Sequence, residues 1–340
     1  MGERCPVGLA RWLLVLAAGC SAPRAPGERP VIGLAPATEA AIRAAPRAHA
    51  WDVWQRLHAG SPAAWETWPR SDVVLDRADR HVRALQPFTH AGALVTEALP
   101  IGFAVAFDPT AAAHVRAHHL GSRAAQATLA ALPAFPRSAI TLKLIWYLVR
   151  RAGTTRMPIW DGEPARADGN PDHTWQRWIE VGPGGVPLDA FEHRAIASAE
   201  ELRSARAAMH DATIELGDQL ALVAMHVSTK ELPDWLWATF WWHDRPDAGR
   251  FAAGRPPLAG AAGHYLMDVA LASDPPSFNP WLEARFPDGT RSNCVTCHQR
   301  AIRGATDYLP VTLAPLAPDD PYFAGTYPTD FVWTLALEAR

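Results

Sequence analysis

The sequence predicts an α+β fold: a β-rich antiparallel core, short helices, and a C-terminal helix–loop segment. Two stretches, Ile140–Val149 and Gln219–His243, read as strands from their alternation and their density of β-branched and aromatic residues. Shorter windows at 48–59 and 200–210 read as helices. The 31 Pro and 23 Gly force frequent chain reversals, so the elements should be short. At 340 residues, 49% hydrophobic and 20% charged, the chain suits one large or two medium globular domains. A net charge of −3 gives no electrostatic reason to bind nucleic acid.

In chain order, Thr38-Glu39 opens a helix near 38–45, and 48–59 places Trp51, Trp54 and His58 on one helical face. His58 is expected to be packed or at the surface and not a ligand. Ile101–Phe107 alternates large and small residues like a strand. Asp108-Pro109 then starts a helix through about Leu132, in which His114 and His118 have i,i+4 spacing on an expected solvated face. These make a mixed, helix-rich region over 37–135. The β-rich body, 136–340, begins with Ile140–Val149 and continues with strands at 157–161 and 174–181. A helix over 200–210 is capped by Ser198. A hairpin follows, with strands 219–229 and 235–243 and Lys230 at its solvated tip. Asn279–Phe286 reads as a capped helix with Pro at its first position, and it opens the C-terminal segment 278–340. Pro310–Pro321 is a proline-rich loop, and Phe331–Leu337 is expected to tuck back through Trp333.

The four cysteines are Cys5, Cys20, Cys294 and Cys297. Arg4 and Arg11 precede a short apolar run, Trp12–Gly19, which reads as an export signal and is too short to span a bilayer. Its end, Leu16-Ala17-Ala18-Gly19-Cys20, resembles the lipobox of bacterial lipoproteins. That likeness implies a signal peptide over 1–19, lipid on Cys20 and a tether over 20–36. Losing 1–19 removes two arginines and a glutamate, which takes the net charge from −3 to −4. One cysteine pair then remains, too few for a disulfide framework.

That pair lies in Cys294-Val295-Thr296-Cys297-His298, the C-x-x-C-H signature of c-type haem attachment. On a short helix the two thiols share a side, where they can add to two vinyl groups, and the histidine offers a ring nitrogen to iron. Ser292 and Asn293 are candidate helix caps. By chance the motif is expected roughly 0.002 times in such a composition. A zinc site would need further ligands at suitable spacing, and a thioredoxin-like dithiol expects a preceding strand and a long following helix. The export signal agrees with haem c, which is attached outside the cytoplasm. The proximal iron ligand is therefore His298, and the cofactor one covalent haem c.

The 42 residues after His298 contain no His, Met or Lys, so a sixth ligand must come from upstream. His243, ending the Trp-rich stretch 235–243, and Met267 are the leading candidates. Met225, His226 and His264 are others, and an open site is the remaining possibility.

The segments Thr229-Lys230, Trp235–Asp244 (WLWATFWWHD), Phe278–Phe286 (FNPWLEARF) and Ser292–Ala301 (SNCVTCHQRA) carry a likeness to a known group. From roughly residue 130 to the end, the chain resembles exported bacterial cytochrome-c-like proteins; the first hundred-odd residues lie outside it. The resemblance implies covalent haem c and electron transfer, and leaves the sixth ligand and the redox partner protein unassigned. The expectation is thus a periplasmic monohaem c-type cytochrome anchored by lipid alone, with Ser21 favouring the outer membrane. The alternatives are a peroxidase-like haem enzyme with an open distal site, or a haem-bearing sensor.

Overall fold

The computed structural model describes residues 37–76, 85–87, 99–162, 175–271, 274–285, 289–291, 293–305 and 314–339. The proposed signal, the tether and Cys20 lie outside them, as do Ser292 and Pro310. Described strands are β1 (Gln86–Pro87), β2 (Ile101–Phe107), β3 (Ile140–Val149), β4 (Thr155–Ile159), β5 (Arg177–Val181), β6 (His193–Ala195), β7 (Gln219–Thr229), β8 (Leu236–Trp242) and β9 (Tyr265–Ala270). The α-helices are α1 (Glu39–Ala44), α2 (Pro46–Leu57), α3 (Ser71–Val74), α4 (Pro109–Ala117), α5 (Arg123–Ala127), α6 (Ala199–Met209), α7 (Cys294–His298) and α8 (Trp333–Leu337).

The main sheet runs β1-β2-β3-β7-β8-β9, with β6 also on β7, and every pairing in it is antiparallel. Strands β4 and β5 form a separate antiparallel pair. The fold class is α+β. Strand β2, from the segment read as helix-rich, pairs with β3 along its whole length, so the sheet continues across residue 135. All described residues belong to one compact unit, 31–340.

Pairing register decides which side chains share a face. Val105, Lys143, His226, Thr239 and Asp268 form one row across five strands, and Phe107, Thr141, Ser228, Trp237 and Ala270 form another on the same side. The alternate row Ala104, Leu144, Met225, Phe240 and Met267 points the other way. Helix α2 covers that second face. Trp54 stacks on Phe240 with ring centroids 4.1 Å apart, and Trp51 meets the same ring edge-on at 5.3 Å. The first face is covered by the chain after residue 280.

Local rules set most helix starts. Thr38 caps α1 by accepting from Ala41 N–H at 3.2 Å, and Ser198 caps α6 by accepting from Glu201 N–H at 3.1 Å. Asp108 caps α4 through Ala111 N–H and also accepts from Ile140 N–H at 3.0 Å, which ties the helix to β3.

Four expectations need correction. The helix expected over 108–132 is two, α4 and α5. His119 turns left-handed at φ 51° after α4, and Gly121 then lies so close to Leu75 that a Cβ would meet its backbone at 2.9 Å. His114 is buried and not solvated: its Nε2 lies 3.0 Å from the Pro133 carbonyl, and its ring packs on Phe135. Of the stretch expected as a helix over 279–286, the described part, 279–285, is not an α-helix but a turn followed by a 3-10 turn at Glu283–Arg285. Asn279 Oδ1 accepts from Trp281 N–H at 2.9 Å in this turn, and its amide ties the turn to β8, donating to Thr239 Oγ1 at 2.8 Å and to the Phe240 carbonyl at 3.1 Å. Lys230, expected at a solvated tip, is 4% exposed. The hairpin turn packs on α1, where Leu232 meets Ile42, and Lys230 Nζ pairs with Asp330 Oδ1 at 2.5 Å.

Candidate functional site

The Cys294–His298 motif forms α7 because Asn293 caps it. Asn293 Oδ1 accepts from Thr296 N–H at 2.9 Å, while its amide donates to the carbonyls of Leu271 and Asp274 at 3.3 and 3.0 Å. The cap therefore also fixes α7 to the chain leaving β9.

Between α7 and the first face of the sheet lies a cavity with about 850 Å³ of empty space, part of it open to solvent. Phe103, Lys143, His226 and Trp237 line it from the sheet; Cys297, His298, Phe331 and Trp333 line it from the opposite side. Cys297 faces the cavity, and Cys294 is buried in the adjoining apolar cluster with Trp237 and Ala270.

His298 is held twice. Its ring packs on Trp237 with centroids 4.0 Å apart, and its Nδ1 lies 2.7 Å from the Phe331 carbonyl. A carbonyl can only accept, so Nδ1 carries the hydrogen. Burial lowers the His298 pKa to about 3, against a smaller upward pull from that carbonyl, so the ring is neutral at ordinary pH. Nε2 therefore carries the lone pair. This is the arrangement that orients a metal-binding histidine, whose other nitrogen commonly donates to a backbone carbonyl.

The carbonyl is itself fixed. Asp330 and Phe331 both adopt left-handed backbone, φ 47° and 68°, and so does Trp235 across the cavity, at φ 60°. Such conformations cost about 1–3 kcal/mol each and persist only where surrounding contacts impose them. Here Asp330 is imposed by Lys230 and by Phe135 N–H, which donates to its Oδ2 at 2.9 Å.

Besides Cys297 and His298, four ionisable side chains line the cavity: Lys143, His226, Glu283 and Glu338. Lys143 Nζ lies 4.6 Å from the centroid of the Phe103 ring, and burial lowers its pKa. Burial raises Glu283 to about 7. His226 is lowered to about 3 by burial, with the nearby Lys143 charge adding to the effect. Its Nε2 is buried without a hydrogen bond, 3.4 Å from Glu283 Oε1. Burial also pushes the Cys297 thiol up to about 12 and Cys294 well above its ordinary value. Neither is a thiolate at neutral pH, the opposite of what a disulfide oxidoreductase requires. Among the described residues no group of three or more His, Cys, Asp or Glu side chains could hold a metal ion.

The leading sixth-ligand candidates lie elsewhere. His243 follows Trp237 by six strand positions, about 20 Å along β8. Its Nδ1 accepts from Arg245 N–H at 2.9 Å, and its Nε2 lies 3.2 Å from Asp161 Oδ1. Met267 and Met225 are fully buried on the α2 side of the sheet, and His264 stacks on Trp242. Of the upstream candidates, His226 alone lines the cavity.

Lys143 and Glu283 escaped the sequence reading as site residues. Lys143 had a signal, a charge in an otherwise largely apolar strand. Glu283 had none, since its segment read as an ordinary helix.

The residues fit a covalent haem in three respects: a thiol on the cavity wall, a histidine with Nε2 available, and aromatic surfaces on both sides. Among the described residues no helix is long and apolar enough to cross a membrane. No family model, curated protein or solved structure matches the chain.

Proposed function

We propose that this protein is a monohaem c-type cytochrome that transfers electrons to or from a redox partner protein. Cys294 and Cys297 would carry the haem by thioether bonds, and His298 would hold its iron. When bound, haem c supplies a one-electron Fe(III)/Fe(II) couple. The observation that carries the reading is His298 Nδ1–H donating to the Phe331 carbonyl at 2.7 Å, in a motif whose Cys297 and His298 face a pocket lined by aromatic side chains. The Phe331 carbonyl sets the tautomer, Trp237 packs against the ring, and Phe103, Trp235 and Trp333 add aromatic surface to the cavity lining. Lys143 supplies a positive charge from the sheet, and Glu283 is held partly neutral beside it.

Export, lipid on Cys20 and a periplasmic, outer-membrane place belong to the same proposal; the residues that support them lie in 1–21. A peroxidase-like enzyme with an open distal site is the second reading, favoured by the ionisable groups in the cavity. Production in a host with haem-attachment machinery tests the first. We expect one haem per chain, surviving denaturing electrophoresis and acid acetone, and lost in the Cys294→Ser, Cys297→Ser double variant. A colourless exported protein would overturn the reading. Rapid, stoichiometric carbon monoxide binding by the ferrous protein would favour the enzyme over the carrier.

A further inference from the structure

His226 lies on β7 between Lys143 of β3 and Thr239 of β8, so its side chain points from the sheet into the cavity that His298 enters from α7. It is 7% exposed, and its Nε2 makes no hydrogen bond. A buried nitrogen in that state is costly, because water is lost and nothing replaces it. Glu283 Oε1, 3.4 Å away, does not form that bond. Lys143, the neighbouring nitrogen donor, already faces the Phe103 ring. The cavity thus presents two imidazoles from different walls. One is oriented by a backbone carbonyl, and the other has a nitrogen with no partner in the protein.

We infer that His226 is the second axial ligand of the iron that His298 holds, its Nε2 lone pair closing a six-coordinate, bis-histidine site. The inference rests on the cytochrome reading above, and it turns a sheet residue into the distal half of the centre. It gives the unpartnered nitrogen a partner, and it leaves small molecules no vacant position on the iron.

The test is spectroscopic and uses the full-length holoprotein. Electron paramagnetic resonance and near-infrared magnetic circular dichroism of the ferric protein should show low-spin iron with two imidazole ligands. His226→Ala should become high-spin and gain rapid carbon monoxide binding in the ferrous state, and added imidazole should restore the low-spin spectrum. If the alanine variant does not fold, His226→Met retains most of the buried volume. It should stay low-spin, acquire the methionine–iron band and shift to higher potential. His243→Gln and Met267→Leu should leave the spectrum unchanged.

A high-spin wild type overturns the inference, as does a bis-imidazole signature that survives His226→Ala without added imidazole. So does loss of the low-spin spectrum in His243→Gln or Met267→Leu. Haem staining of the same samples separates the two failures. Absence of covalent haem removes the cytochrome reading and the inference with it. Covalent haem with an unmoved spectrum removes only the role of His226.

Discussion

Two buried histidines near β8, His243 just past its end and His226 beside it on β7, differ in what their nitrogens are doing. At the His243 end, Nδ1 accepts from Arg245 N–H and Nε2 faces Asp161, inside a cluster where Arg177 bridges Asp161 and Asp244. Beside the middle of β8, opposite Thr239, His226 of β7 has its Nε2 unpartnered. The first histidine has used its hydrogen-bonding capacity on structure; the second has some left. Burial alone does not separate them, because both are less than a tenth exposed. Counting partners does.

This comparison can be strained from either side. The largest effect is expected at the anchor of the cavity wall. Lys230→Ala leaves Asp330 without its buried cation, and breaking such a pair costs about 3 kcal/mol or more. Urea unfolding should show that loss, and the His298 environment should loosen, since Phe331 adjoins Asp330. Asn293→Ala comes next, at about 2 kcal/mol. It removes the cap of α7 and leaves the Leu271 and Asp274 carbonyls without its amide. Haem retention after partial unfolding is its sharper readout.

The smallest effect belongs to the His243 end. Partial burial pushes Asp161 and Asp244 up, but the hydrogen bonds from Arg177, joined at Asp161 by Arg245, outweigh it and hold both below the usual carboxylate range. Groups depressed on folding contribute stability above their unfolded pKa, about 4, and lose it as pH falls through their folded values. The urea midpoint should therefore drop below about pH 4. Arg177→Gln should flatten that drop and cost about 1 kcal/mol at neutral pH. An Arg177 variant that altered the haem spectrum would break the separation of the two histidines.

Much of this molecule was legible in the sequence. Alternation gave β2 and β3, and a density of β-branched and aromatic residues about a turn signal gave β7 and β8. Thr38, Ser198 and Asn293 announced helix starts through a local bond that neighbouring residues suffice to make. The C-x-x-C-H motif pointed to one wall of the cavity, where Cys297 and His298 lie. The opposite wall was harder to see. His226 was a candidate only in a crowd, because the register of β7 against β3 and β8 decides which wall it joins, and register is a long-range property. Asn279 misled for a related reason: its amide serves a strand forty residues earlier in the chain, which no local pattern reveals. The Trp-rich stretch drew attention to His243, yet Trp237, at its other end, is the residue that touches His298.

One consequence follows from where the cavity's second wall lies in the chain. Every strand of the main sheet precedes residue 271, and Cys297, His298, Asp330 and Phe331 all come after it. During synthesis the template is complete before its cover exists. The thiols are then accessible from one side until Asp330 reaches Lys230. A chain ending before residue 330 would keep the template and lose the latch, so the final ten or so residues govern whether whatever occupies the interior stays there.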